Sequence, residues 1–278
     1  MLRSSCLLRV GAHRIEGLWS PGRSGGLPVH ASCYFEGDGT LADSALGDAI
    51  SSVLRRILPK RRLASPNVSV GVAGSYVRAA IMAFAKLPKG VNDRTLLISQ
   101  RFCREHRLDP ATVAVQGCAL GPSKAGEEAV LCVALPQALL AQIRRRLSEN
   151  GLHADLVAPD YMLSFAGTDT RRLQAPGMVL LGGDDGVAIL VWDTQKRIVH
   201  VAALAAGLEE TVADGRLVPR ISRYARVVGA EGSEVTVYAG QAMLHALETA
   251  EVLRRGGLKL IRWPGRGFEA QLHMGAVQ

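Results

Sequence analysis

The run VSVGVAGSYVRAAIMAFAKLP, residues 68–88, decides how the rest of the chain is read. Residues 67–73 (NVSVGVA) alternate in side-chain character with a period of two, which predicts a strand with one buried face. Gly74-Ser75 supplies a turn, and residues 76–88 read as a second strand closed by Leu87-Pro88. Asn92 or Asp93 is placed to cap a helix running to about Arg107. ATVAVQGCAL (111–120) and EAVLCVAL (128–135) read as a strand pair across the loop GPSKAG. Gln137–Asn150 then carries Leu139, Leu140, Ile143 and Leu147 on one helical face, with Gly151 just past its end. HADLVAP (153–159) returns as a strand, so the order is β-β-α-β-β-α-β.

Upstream of this run, Cys6–Val10 and Arg14–Trp19 read as strands joined at Gly11, and Val29–Phe35 as a third after the loop SPGRSGGLP. Residues 41–58 fit an amphipathic helix, because Leu46, Ile50, Val53, Leu54, Ile57 and Leu58 fall on one stripe. Downstream, after the polar stretch 167–176, MVLLGG (178–183), VAILVW (187–192) and IVHVAAL (198–204) read as consecutive strands. SEVTVYAG (233–240) reads as a further strand, Gln241–Arg255 as a helix, and LKLIRW (258–263) as a last strand. Strands and helices alternating in this way point to open α/β sheets.

Composition narrows the function classes. The chain has 278 residues, 48% of them hydrophobic and 21% charged, which is enough apolar material for a real core and excludes global disorder. A membrane helix needs about 18 or more consecutive apolar residues. The best uncharged run, AVLCVALPQALLAQI at 129–143, is shorter and holds Pro136 and Gln137. The N-terminus lacks an apolar export core, since Arg9 interrupts it. These observations predict a cytoplasmic protein. Five widely spaced cysteines without a CxxC predict neither a disulfide framework nor a zinc site, and Cys103 with His106 is a lone C-x-x-H.

The net charge of +8 gathers at residues 55–62, at Arg101, Arg104 and Arg107, at Arg144–Arg146 and at Arg254–Arg255. Such a surface attracts nucleic acid or anionic lipid. No nucleic-acid motif accompanies it, so solvated helix faces are the preferred reading and a basic nucleic-acid-binding module is the second alternative.

Motifs for catalysis are missing. The sequence holds no G-x-S-x-G elbow and no H-E-x-x-H, and its seven histidines are scattered. Gly182-Gly183-Asp184-Asp185-Gly186 would offer backbone N–H groups to a phosphate but lacks the Lys and Ser/Thr of a P-loop, and it reads as a tight β-turn. No metal site, cofactor or catalytic residue is expected.

The stretch 68–88, the helix and strand in RFCREHRLDPATVAVQG, and above all AVLCVALPQALLAQIRRRLSENGLHADLVAPDYMLSFAG resemble PilM-type pilus assembly proteins and the cytoplasmic domain of GspL-type secretion proteins. The likeness lies in the order of elements over residues 66–166, including Gly151-Leu152 at the helix end and Asp160 to Phe165 at the next helix start. It implies an actin-like (RNase H-like) α/β fold of two domains with an inserted β-β-α-β-β-α-β subdomain and a shortened second half. The expected boundaries are 1–166, with the insertion at about 66–135, and 167–278. In ATP-binding relatives, by the same resemblance, an Asp-x-Gly hairpin in the second half wraps the phosphates. The acidic position falls here on Gly182 and the Ser/Thr run on Gly186, Val187 and Ala188. The first hairpin has Gly11-Ala12-His13 where a metal-holding Asp is expected.

The resemblance implies a non-catalytic scaffold of a type IV pilus or type II secretion-like inner-membrane platform. Its partners would be the cytoplasmic tail of a PilN-like membrane protein and the assembly ATPase, with peripheral association to anionic lipid. The residues implied for partner binding are Tyr76, Arg78, Leu87 and Pro88, acting by strand addition or groove docking. A nucleotide-binding actin-like ATPase is the first alternative.

Overall fold

The computed structural model describes residues 4–21, 27–36, 44–59, 66–122, 126–166, 171, 173–183, 186–204, 217–228, 235–239 and 258–262. They form two compact units. One takes its residues from the spans 1–76 and 138–168, the other from 77–137 and 169–264.

The first unit is built on a five-stranded sheet. β1 (Ser5–Val10), β2 (Arg14–Ser20) and β3 (Val29–Tyr34) form an antiparallel meander. β4 (Asn67–Val72) and β8 (Leu156–Pro159) then add in parallel on the other side of β1, so the order is β3-β2-β1-β4-β8. α1 (Ser44–Ile57) lays Leu46, Ile50, Val53, Leu54 and Ile57 into the core, the stripe that the sequence spacing predicts. It packs against β2 and β3. The approach is close at Gly17 of β2, where a Cβ would stand 2.6 Å from Val53 Cγ1 and 2.8 Å from Ile57 Cδ1. α3 (Gln137–Glu149) buries Leu139, Leu140, Ile143 and Leu147. Gly151 ends it at φ +64°, a left-handed conformation that glycine adopts without a Cβ clash. The Leu152 N–H reaches the Leu147 carbonyl at 2.9 Å.

The second unit holds two sheets. In the larger, β9 (Gly177–Gly183), β10 (Gly186–Trp192) and β11 (Ile198–Leu204) form an antiparallel meander. β12 (Val235–Ala239) and β13 (Leu258–Arg262) add in parallel beyond β9. The order β11-β10-β9-β12-β13 repeats the topology of the first sheet, three antiparallel strands followed by two parallel ones. α5 (Leu217–Val228) covers β9 and β10, with Leu217, Ile221 and Ala225 packed among Met178, Leu180, Ile189 and Val237. The predicted helix at Gln241–Arg255 and the turn residues Asp184 and Asp185 lie outside the described residues.

The smaller sheet, β5-β7-β6, is antiparallel and comprises β5 (Arg78–Phe84), β6 (Val113–Pro122) and β7 (Glu128–Pro136). α2 (Val91–His106) closes one face, with Ile98, Phe102 and Cys103 packed on Met82, Phe84, Val115, Val130 and Cys132. The seven elements read in order from the sequence are therefore shared out. β5, α2, β6 and β7 make the small sheet and its cover, while β4 and β8 belong to the first five-stranded sheet. Neither Asn92 nor Asp93 caps α2. The N-cap is Gly90, whose extended backbone (φ −67°, ψ 132°) has no side chain to offer. The cap falls ahead of Asn92 and Asp93 because the Gly90 carbonyl already accepts the Arg94 N–H at 3.0 Å. Asp93 sits in the first turn, where a carboxylate favours the positive end of the helix dipole.

Candidate functional site

Two places carry the chemistry of the candidate site: the β1–β2 hairpin in the first unit and the ends of β5 in the second. In the hairpin, Gly11 N–H donates to the Arg14 carbonyl at 2.9 Å and the His13 carbonyl accepts from Phe35 at 3.0 Å. The tip Gly11-Ala12-His13 offers no carboxylate. Charge sits behind it instead. Arg9 on β1 and Glu16 on β2 are cross-strand partners in register, so their side chains share a face. Arg9 Nη1 donates to Glu16 Oε2 at 3.3 Å, and Arg9 Nε donates to Asp160 Oδ2 at 3.0 Å. Arg14 Nη2 lies 2.9 Å from Glu16 Oε1.

This network is nearly dry, with Arg9 5% and Glu16 2% exposed. Asp160 opens α4 (Asp160–Ala166), and its Oδ1 accepts the Tyr161 N–H at 2.7 Å. Burial, with the Asp160 charge beside it, pushes the Tyr161 phenol well above its ordinary value. Two arginines against two carboxylates leave the cluster close to neutral. Both carboxylates point into guanidinium groups, which is the opposite of what a magnesium ion or a metal-bound phosphate needs from them. Among the described residues no group of three or more His, Cys, Asp or Glu side chains is arranged to hold a metal ion.

At β5 the four residues implied for partner binding divide between the two ends of the strand. Tyr76 closes a short 3₁₀ turn (Gly74–Tyr76) and is half-buried, and Arg78, the first residue of β5, is exposed. β5 is 7 residues long, roughly 20 Å from end to end, and beyond Phe84 the chain passes through Leu87 and Pro88. Leu87 is 8% exposed and belongs to the core of the small sheet. Its N–H donates to Glu128 Oε1 at 3.4 Å. Pro88 is half-buried, and its carbonyl accepts from Arg94 Nε at 3.2 Å. Thus the fold brings Tyr76 near Arg78 and Leu87 near Pro88 but does not gather all four. Leu87 finishes the core, whereas Tyr76, Arg78 and Pro88 keep surface.

Arg9, Glu16 and Asp160 are not among the residues that sequence reasoning singles out. A signal for the first pair was present: opposite charges placed symmetrically about the turn at residues 11–13 must face each other once the hairpin forms. Nothing local points to Asp160, 151 positions away.

The described residues contain no helix long and apolar enough to cross a membrane. No family model and no curated protein matches the sequence. Solved structures do match the fold. A chain of the PilM–PilN type IV pilus biogenesis complex aligns over 92% of this chain and 88% of its own, with TM-score 0.56 and 16% identity. The cytoplasmic domain of EpsL, an inner-membrane component of the type II secretion system of Vibrio cholerae, aligns over 99% and 94%, with TM-score 0.54 and 14% identity. A Bacteroides thetaiotaomicron protein of actin-like ATPase fold and unknown function aligns over 98% and 96%, with TM-score 0.56 and 8% identity. The doubled five-stranded topology and these near full-length likenesses identify the chain as an α/β protein of the actin-like fold, in the form that PilM and the EpsL cytoplasmic domain resemble.

Proposed function

We propose that this chain is a non-catalytic scaffold on the cytoplasmic side of an inner-membrane assembly platform of the type IV pilus or type II secretion kind. It holds the cytoplasmic tail of a PilN-like membrane partner, and it reaches the membrane through that partner. The observation that carries this reading is the combination of an actin-like fold with a first hairpin whose tip has no carboxylate and whose one acid, Glu16, is paired with Arg9 and Arg14. A nucleotide site needs free acids there, while a scaffold needs only a rigid frame.

Contact with the tail falls to the surface at the ends of β5: Tyr76 and Arg78 at one end and Pro88 at the other, with Leu87 anchoring the strand end from inside. An extended segment docking there would draw affinity from backbone hydrogen bonds and selectivity from side-chain pockets. Contact with the assembly ATPase would follow from the same platform role.

The test is a pair of calorimetric titrations at physiological salt, one with ATP–Mg²⁺ and one with a synthetic N-terminal peptide of a PilN-type protein. Peptide binding that weakens in Arg78→Glu and Tyr76→Ala, with no heat from ATP–Mg²⁺, is the expected result. Micromolar ATP binding would replace the scaffold by a nucleotide-switched ATPase. Steeply salt-dependent binding to any duplex DNA, with no peptide binding, would replace it by a nucleic-acid module.

A further inference from the structure

Among the described residues, exposed arginines stand on α1, α2, α3 and α5, and the first three of these helices set acids among them. Asp48 of α1 lies 3.1 Å from Arg146 of α3, and Glu149 of α3 lies 3.1 Å from Arg146 and 3.9 Å from Arg145. On α2, Glu105 pairs with Arg101 at 2.8 Å, and Asp93 is exposed in the first turn. Mixed signs of this kind are what a solvated helix face carries.

α5 is different. Arg220, Arg223 and Arg226 are all exposed, and no acidic residue occurs from Leu217 to Val228. At 100° and 1.5 Å per residue, the three positions fall within about 120° of arc and about 9 Å of helix. They lie on the side away from Leu217, Ile221 and Ala225, which are packed into the core. The sheet beneath offers no compensation: β9 to β13 contain neither Asp nor Glu, and β13 adds Lys259 and Arg262. Asp214 before the helix and Glu231 after it are outside the described residues. Arg226 Nε donates to the Ser222 carbonyl at 3.3 Å, and among the described residues none of the three arginines forms an ion pair.

We propose that the outer face of α5 is a contact surface for an anionic bilayer, with its three guanidinium groups on lipid phosphates. Like charges one turn apart on a helix repel, and an anionic surface offsets that repulsion. A guanidinium keeps its charge and takes phosphate oxygens two at a time. Single-stranded nucleic acid draws on aromatic platforms as well. Tyr224, the aromatic residue of α5, is turned inward, with its ring centre 4.2 Å from that of His200. Each arginine near an anionic leaflet is worth about a fivefold gain in partition, so three supply about a hundredfold. That is a weak contact alone and an effective second one. The inference rests on the platform reading above, which puts a bilayer within reach: the membrane partner recruits the chain, and α5 turns one side of it to the leaflet.

Flotation of the full chain with vesicles of phosphatidylcholine, alone or with about 30% phosphatidylglycerol, tests it without any partner peptide. The wild type should float with the anionic vesicles only, and should be released as salt rises from about 0.05 to 0.3 M. Replacing Arg220, Arg223 and Arg226 together by Gln should lower the partition about a hundredfold, and each alone about fivefold. The same three changed to Lys should keep most of it, with circular dichroism unchanged in every variant. Replacing Arg55, Arg144 and Arg145 by Gln removes as much charge from α1 and α3 and should leave the partition nearly as it was. No preference for anionic vesicles overturns the proposal. So does equal loss in the two Gln triples, since net charge alone would then explain the binding. Duplex DNA binding that needs the same three arginines, with no flotation, would assign the face to nucleic acid instead. A chain that binds the PilN-type peptide but no vesicle would keep the scaffold and refute this surface.

Discussion

Replacing Arg9 by methionine is the sharpest probe of the β1–β2 hairpin. The Arg9 side chain is 6% exposed and pairs with Glu16, 2% exposed, and with Asp160, 16% exposed. Removing one member of a buried ion pair typically costs 3–5 kcal/mol, because the remaining charge stays desolvated. Here neither carboxylate is left bare. Glu16 keeps Arg14 at 2.9 Å, and Asp160 keeps the Tyr161 N–H at 2.7 Å. The expected cost is therefore at the low end, about 3 kcal/mol. At roughly 2–4 °C per kcal/mol for units of this size, the melting temperature should fall by about 6–12 °C. Urea unfolding followed by circular dichroism measures the cost, and a double-mutant cycle with Glu16→Met isolates the pair. The double variant should be less destabilised than the two singles added, because neither Arg9 nor Glu16 is left behind without the other. A cost under about 1 kcal/mol for Arg9→Met, the range of exposed ion pairs, would refute the reasoning. The network would then be solvated, and its carboxylates would be free for a ligand after all.

Four further outcomes are expected. Gly17→Ala should destabilise by about 1–3 kcal/mol in urea titrations, since its Cβ would intrude on the packed Val53 and Ile57 side chains. Burial, and then the Arg223 charge, holds the His200 imidazole below its ordinary value of 6.5, so the folded protein binds fewer protons than the unfolded one. That contribution to stability is complete above pH 6.5 and is lost as the pH falls toward the folded value. His200→Phe, which keeps a ring against Tyr224, should flatten the slope in urea titrations between pH 7.5 and 5.5. Burial above all, with Glu105 adding to it against the opposing Arg101 charge, pushes the Cys132 thiol up to about 11. A thiol reagent at pH 8 should therefore label exposed Cys118 in dilute protein within the mixing time, and Cys132 only on unfolding. Asp193 is pushed up by its burial but held below its ordinary value by the Arg197 side chain and the backbone N–H groups of Arg197 and Gln195. Asp193→Asn should loosen the β10–β11 turn, read as faster amide exchange at Gln195 and Arg197, because the bidentate Arg197 contacts at 2.7 and 3.0 Å lose their charge.

Much of the fold was legible because its signals are local. The stripe Leu46, Ile50, Val53, Leu54 and Ile57 demands a helix whatever surrounds it, and the face Leu139, Leu140, Ile143 and Leu147 with Gly151 behind it marks both the body and the end of α3. The strands from Asn67 to Pro159 and from Gly177 to Leu204 announce themselves by apolar runs between turn residues. Boundaries slipped where the deciding group was backbone: Gly90 begins α2, although Asn92 and Asp93 are the better capping side chains.

What the sequence alone determined, then, is the kind and order of most of the described elements, α5 excepted, and the lack of any local catalytic or metal motif. Periodicity and turn chemistry act over a few residues and need no knowledge of the rest. Only the tertiary structure decided which strands share a sheet, because pairing is a choice among distant partners. It set β4 beside β1, β8 beside β4 and β5 beside β7, and it gave the two large sheets one topology. It alone placed Asp160 against Arg9 across 151 positions, left β6 at the edge of its sheet, and pressed α1 onto Gly17 so closely that a single methyl group does not fit. These are properties of space shared by remote segments, and no window along the chain contains both sides of them.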